Sequence, residues 1–384
     1  MKKTILLILV IMIFGTAKGQ VSRSQADLSL LHQSVLKLPS FKEQVKDNSK
    51  LNFNLGRDFV FDGDETSFQV FMKLCGLISP IRDNHLSFYS ITDSTLTAPS
   101  SFEMSKSKID SAVSAADSSD PILGTYYAGK YTVQLVKIDG LYHGVMESED
   151  RFLLQFILQP TTPNHFDIIR FGRNATSYRL DRNVVFINQR LSGTGWSKYN
   201  SRSFVELPFE MPTYDFKTIN EDISYLRLGS FATNNKTIAL SDEFFGTIKS
   251  KELKRHLIVD LRNNGGGGYK TSKKFLDFVR RFKGQVHLLV NNYTVSNAEQ
   301  FTIDLKDSKN VTIYGETTRG TIAYGSNMGV RIQMPSKRFA FYITDMKSRA
   351  KDLPYESYGI DPTINLDPFK VDWVEQVIEH IKKK

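Results

Sequence analysis

The chain has 384 residues, long enough for more than one hydrophobic core, and is 40% hydrophobic and 24% charged, the ordinary balance of a globular protein. Its formal charge of +9 comes with no Lys/Arg run interleaved with aromatics, which excludes a nucleic-acid partner. A lone cysteine, Cys75, excludes an intramolecular disulfide; with seven scattered His it offers no zinc spacing, so neither metal nor cofactor is expected.

The first elements read as a targeting segment. Lys2 and Lys3 form a basic start, Ile5 to Phe14 an unbroken apolar run, and Ala17-Lys18-Gly19 supplies small residues before Gln20. The pattern predicts a secretory signal peptide over 1–19, and with it an exported, periplasmic or secreted, soluble protein. No later stretch reaches eighteen apolar residues, so no transmembrane helix is expected after its removal.

Residues 20–117 read as an N-terminal helical region. Leu28, Leu31 and Val35 recur at helical spacing before Pro39. Phe68, Phe71, Met72 and Cys75 form a second stripe over Ser67–Ile78, ended by Pro80. The segment from Ile81 to Tyr89, with Asn84 and His85, reads as a loop entering a strand. Residues 93–120 read as a helix with linkers at both ends.

From 118 to 210 the pattern becomes a small antiparallel β domain. Tyr131, Val133 and Leu135 alternate with polar residues, Asp139-Gly140 marks a hairpin, and Tyr142 to Met146 returns. Further strands fit Leu153–Leu158, Phe166–Phe171 and Val184–Asn188.

Residues 211–384 alternate buried strands with helices. His256–Leu261, Val286–Val290 and Val311–Tyr314 are continuous apolar runs. Thr237–Ile248, Lys270–Phe282 and Ser296–Leu305 are the helices around them. This order predicts an α/β domain with a largely parallel sheet, whose site forms beyond the C-terminal ends of the strands.

Three motifs follow those strands. Asp260-Leu261-Arg262-Asn263-Asn264 leads into four glycines, Gly265 to Gly268, whose amides can gather around an anion. A phosphate loop needs Gly just before Lys270, where Tyr269 stands; a flexible turn and an oxyanion hole remain open. Ser296 opens a helix, where the dipole and free amides favour a developing oxyanion. Ser296-x-x-Glu299 is equally a capping box, and the two roles are compatible. Gly315-Glu316-Thr317-Thr318-Arg319-Gly320-Thr321 is, alone, a loop.

Taken together and in order, these motifs resemble the C-terminal-processing, or tail-specific, serine peptidases, over roughly Ile223 to Ile364 plus the segment around His85. The resemblance implies a ClpP/crotonase-like sheet with helices for the α/β domain. It implies Ser296 as nucleophile, an oxyanion hole from Asn297 with Gly266 or Gly267, and substrate contacts along Thr318-Arg319-Gly320. Its lysine-using branch places the base where this chain has Thr321, which cannot accept the proton. A second branch, including the tricorn protease, uses histidine after a short polar residue and a late glutamate; Asn84-His85 and Glu356 stand in those places. A neutral His85 suits a base that takes the serine proton and returns it to the leaving amine. Asp361 before Pro362 inverts the family's order.

The expected function is thus a serine endopeptidase that binds a polypeptide as an extended strand. No glycine-rich carboxylate loop of a PDZ domain is found in 118–210, so recognition of a free C-terminus is not carried over. The alternatives are a catalytically inactive peptide- or apolar-ligand-binding protein on the same scaffold, and a glycan-binding or adhesion role for the β domain.

Overall fold

The computed structural model describes residues 23–44, 59–91, 102–149, 151–172, 177–201, 203–205, 207–208, 210–347 and 349–383. The expected signal peptide lies outside them. Among the described residues no helix is long and apolar enough to cross a membrane. The chain divides into two compact units: Met1–Thr125, Thr132–Arg182 and Tyr324–Lys347 in the first, Tyr126–Tyr131, Asn183–Ala323 and Ser348–Lys384 in the second.

The first unit packs helices on antiparallel strands. A helix over 23–35 buries Leu28, Leu31 and Val35 as its spacing predicts. The helix Ser67–Ile78 starts at Thr66, whose side chain and that of Gln69 cap each other's amides, so the first turn leaves fewer orphan donors. Its stripe of Phe71, Leu74 and Cys75 packs with Ile157, Ile169 and Phe339 in one core. Cys75 is the small core residue its setting suggests. Asp139 and Gly140 both have positive φ, which joins Tyr131–Ile138 to Leu141–Ser148 in the expected tight hairpin.

Two features differ from the sequence reading. The helical region 20–117 and the strands between 132 and 182 share a single core, because neither the helix stripe nor the sheet face can be buried alone. Two strands come from far along the chain. Phe339–Tyr342 pairs antiparallel with Ser87–Ser90, Phe88 opposite Phe341, and in turn with Arg331–Gln333. Phe339 and Phe341 alternate into the core, a period-2 signal hidden inside a stretch assigned to the α/β domain.

The second unit is built on a six-stranded mixed sheet in chain order: β1 (Tyr214–Thr218), β2 (Ile223–Leu228), β3 (His256–Asp260), β4 (Gln285–Val290), β5 (Val311–Gly315) and β6 (Ile364–Asn365). β1 is antiparallel to β2, and every other pair is parallel. The helices are α1 (Asn235–Ile248), α2 (Tyr269–Arg281), α3 (Asn297–Lys306) and α4 (Trp373–Lys382). β2 is buried at all six positions, as expected of a central strand covered on both faces. One core gathers Tyr225, Ile258, Leu289 and Tyr314 from β2 to β5 against Trp373 and Val377 of α4.

At the end of β3 the carboxylate of Asp260 is wholly buried. It accepts from Tyr225 Oη at 2.9 Å and from Arg262 Nη2 at 2.8 Å. Burial opposes its charge, but Arg262, with Arg227 beside it, outweighs burial and holds its pKa below the usual range. This ion pair fixes the direction in which the chain leaves the sheet toward the glycines.

Candidate active site

The loops after β3, β4 and β5 meet in the second unit. Asn291, just past β4, laces two of them. Its Oδ1 accepts from the amides of Asn263 at 3.0 Å and Tyr293 at 3.1 Å, and its Nδ2 donates to Asn263 Oδ1 at 2.7 Å. The Val295 amide donates to the Asn264 carbonyl at 2.9 Å, which draws the glycine loop against the turn that carries Ser296.

Ser296 sits immediately before α3 with φ 56° and ψ −117°. A side chain in that region is sterically strained, so the surroundings must impose the turn. Two contacts impose it. The Ser296 amide donates to Glu299 Oε2 at 2.9 Å, one arm of the expected capping box. The backbone of Gly266 lies close on the other side. A Cβ at Gly266 would stand 2.6 Å from the Val295 carbonyl oxygen, 2.8 Å from Ser296 Cβ and 3.0 Å from the Asn297 nitrogen. Only glycine permits that approach.

The oxyanion candidates separate on closer view. The Gly266 amide donates to Asn264 Oδ1 at 2.9 Å, so it is already engaged. Gly267 has φ 137°, and a Cβ there would fall 1.8 Å from the Phe231 carbonyl oxygen. Its amide, together with the Asn297 amide at the start of α3, is therefore the better candidate pair. The helix N-terminus adds its dipole to any negative charge formed there.

Glu299 is the residue that spacing undervalued. It reads in sequence as the N3 partner of a cap, yet its buried carboxylate binds a second loop as well. Oε1 accepts from Thr318 Oγ1 at 2.6 Å and the Gly320 amide at 2.7 Å; Oε2 accepts from the Thr321 amide at 3.1 Å. Burial raises its pKa to about 7 against the opposing effect of these hydrogen bonds. Partners 19 to 22 residues away leave no local signal.

The same loop is held from its far side. Glu356 Oε2, buried, accepts from the amides of Ile322 at 2.9 Å and Ala323 at 2.8 Å. Thr318 Oγ1 accepts from the Ile360 amide at 2.8 Å, and Thr317 Oγ1 donates to Asp361 Oδ1 at 2.6 Å. Thr318 and Gly320 thus spend polar groups on holding the loop. Arg319 Nη1 lies 3.4 Å from the Ser192 carbonyl oxygen and from Asn292 Oδ1, over Gly193. Thr321 is buried with no basic group of its own.

Asn84 and His85 belong to the first unit, in the turn before Ser87–Ser90. Asp83 anchors that turn: it is fully buried, accepts from Thr344 Oγ1 at 2.7 Å and takes the His85 amide at 3.2 Å. Burial around the His85 ring lowers its pKa to about 4. The ring is neutral at pH 7, the state in which an imidazole can accept a proton. The second unit assembles Ser296, Asn297, Gly266, Gly267, the 318–321 loop and Glu356; the first carries Asn84 and His85.

Residues 268–366 match the model of peptidase family S41. The match includes Ser296, Glu299, the 316–321 loop and Glu356. Comparison with curated proteins gives no match. Among solved structures, the photosystem II D1 C-terminal processing protease is similar at 16% identity over 90% of this chain and 93% of its own, with a TM-score of 0.37. Mature CPAF is similar at 12% identity over 94% and 97%, with a TM-score of 0.45. The tricorn protease is similar at 13% identity over 68% of this chain and 29% of its own, with a TM-score of 0.31. The family match supports an S41 peptidase-like fold, a mixed sheet with helices, and a hydrolase of the protease class.

Proposed function

We propose that this chain is an exported serine endopeptidase of the Ser/His kind, its second unit acting as a ClpP/crotonase-like catalytic scaffold. The observation that carries the reading is the turn at Ser296, forced into strained geometry between Glu299 and the Gly266 backbone, with the Asn297 amide beside it. Natural chains keep such strain where the site uses it.

In this reading Ser296 Oγ attacks the carbonyl carbon of a peptide bond as His85 takes its proton. The amides of Gly267 and Asn297 receive the oxyanion. The tetrahedral intermediate collapses to an acyl-enzyme as His85 gives the proton to the leaving amine. Water, activated by His85, then releases the acyl group and restores Ser296. Glu356 shapes the loop that follows Thr321, and the substrate enters as an extended strand. Thr318, Arg319 and Gly320, whose amides are taken by Ile360, Thr294 and Glu299, shape its site rather than pairing with it. Thr321 argues against a lysine base, and no cofactor is invoked.

Labelling with a fluorophosphonate probe tests the reading. Wild type should label, and Ser296→Ala should not. Equal labelling of both, or none in wild type, rejects the enzyme and leaves the ligand-binding alternative.

A further inference from the structure

Asn297 supplies more than a backbone amide. It is 2% exposed, and its Nδ2 donates to Gln300 Oε1 at 3.0 Å. Gln300 Nε2 donates to Asp352 Oδ2 at 3.0 Å. Asp352 is fully buried and takes two charge-assisted bonds from Arg349: Nε to Oδ2 at 2.6 Å and Nη2 to Oδ1 at 2.7 Å.

The direction of this chain of bonds is fixed at its far end. A carboxylate paired with a guanidinium only accepts. Gln300 must therefore turn its NH₂ toward Asp352 and its carbonyl toward Asn297. Asn297 must in turn offer its NH₂ to Gln300. Its carbonyl Oδ1 is left as an acceptor, buried and without a partner among the described residues. Amide orientation is ordinarily ambiguous, but here Asp352 resolves it.

A buried acceptor left unmatched is unfavourable until a donor arrives. It stands one residue past Ser296, and its backbone nitrogen is 3.0 Å from where a Gly266 Cβ would be. A polypeptide seated at Ser296 brings N–H donors to this turn. We infer that Asn297 Oδ1 is a substrate-binding acceptor, oriented by Asp352 through Gln300, that takes a hydrogen bond from a backbone N–H of the bound polypeptide. The inference rests on the polypeptide-binding part of the proposed function, and Asp352 acts in it as a positioning residue.

The test measures binding without turnover. In the Ser296→Ala background, anisotropy of fluorescein-labelled casein gives the affinity. Adding Asn297→Ala, which keeps the main-chain amide, should weaken binding about 10-fold. In active protein the same change should raise KM by a similar factor. Asp352→Asn removes the fixed direction and should also weaken binding. Combining it with Gln300→Glu puts a carboxylate at 300 that again accepts from Asn297 Nδ2. Affinity should recover in part, short of wild type because the new NH₂ at 352 then meets Arg349 Nε. A purely structural role predicts no such recovery, and melting temperatures of each variant separate folding from binding. Unchanged affinity in Asn297→Ala, no casein binding at all, or no recovery in the swapped pair overturns the inference. A wild type that resists fluorophosphonate while Asn297→Ala still loses casein rejects the peptidase and leaves this inference standing.

Discussion

The carboxylate of Glu299 joins the Ser296 amide, at 2.9 Å on one oxygen, to the Thr318 hydroxyl, at 2.6 Å on the other. One buried side chain thus holds both the Ser296 turn and the loop that carries Thr318. Glu299→Gln keeps the shape but replaces one acceptor oxygen with an NH₂ that confronts donors. The variant should fold and lose kcat by about 100-fold, the equivalent of about 2.7 kcal/mol in the barrier. Casein hydrolysis by wild type and variant checks this; a loss below threefold would show that Glu299 is only a cap.

The same residue should leave a mark on stability. Burial raises the Glu299 pKa to about 7 from an ordinary 4.5, so the folded state holds this proton more tightly than the unfolded chain. The stabilisation is fully present below pH 4.5 and is lost as pH rises to about 7, a change on the order of 3 kcal/mol. Denaturant titrations across that window should show wild type losing stability relative to Glu299→Gln as pH rises. Parallel curves would mean that the four hydrogen-bond donors keep Glu299 ionised throughout.

His85 behaves in the opposite sense. Burial lowers its pKa to about 4, so the folded state refuses a proton that the unfolded chain takes near 6.5. Its contribution to stability is complete above pH 6.5 and falls as pH drops toward 4. In its proposed role as general base it would stay neutral over the same range. The acid limb of kcat/KM should therefore fall well below 6.5, and His85→Ala should lower kcat/KM by about 10³-fold. A limb at 6.5, or a His85→Ala enzyme with near-normal rate, would remove His85 from the mechanism.

What the sequence disclosed follows from how local each signal is. The buried strands β3, β4 and β5 and the helices after them are readable because apolar runs and helical stripes are short-range patterns. The Ser296 turn is readable because its cap partner is three residues away. Glu299's hold on Thr318, Asn291's on Asn263 and Asp352's on Gln300 are side-chain contacts across 19, 28 and 52 residues, and no periodicity encodes them. The strands at 331–333 and 339–342 escaped notice for a related reason. They are short, and the partner of 339–342 at 87–90 lies some 250 residues earlier.

The glycine loop gives a sharper prediction because two neighbouring glycines should fail for different reasons. Gly266→Ala places a methyl against the Val295 carbonyl and Ser296 Cβ, so it should displace Ser296. Gly267→Ala drives a methyl into the Phe231 carbonyl at 1.8 Å and breaks the bridge that ties the loop to Phe231. Both should abolish fluorophosphonate labelling. Gly267→Ala should also lower stability by about 1–3 kcal/mol or more, since the contact is with backbone that cannot rotate away. Gly265, with open space around its Cβ position, should accept alanine with labelling retained. Full labelling in Gly266→Ala would detach the loop from the reaction.

Arg190 and Glu316 pose the last test. Their side chains are 4% and 2% exposed and meet at 2.9 Å, and Glu316 Oε1 accepts the Asn292 amide at 3.1 Å. The pair ties the segment before Leu191 to the loops after β4 and β5. Arg190→Met leaves Glu316 as a buried, unpaired charge and should cost about 3–5 kcal/mol. Adding Glu316→Gln removes that charge, keeps an acceptor for the Asn292 amide, and should recover most of the loss. Urea denaturation of the single and double variants measures both steps. Recovery of stability together with labelling would mean that the loops need only neutral packing here. Recovery of stability without labelling would mean that the ion pair sets the position of the loop that carries Thr318, and through Glu299 the geometry of Ser296.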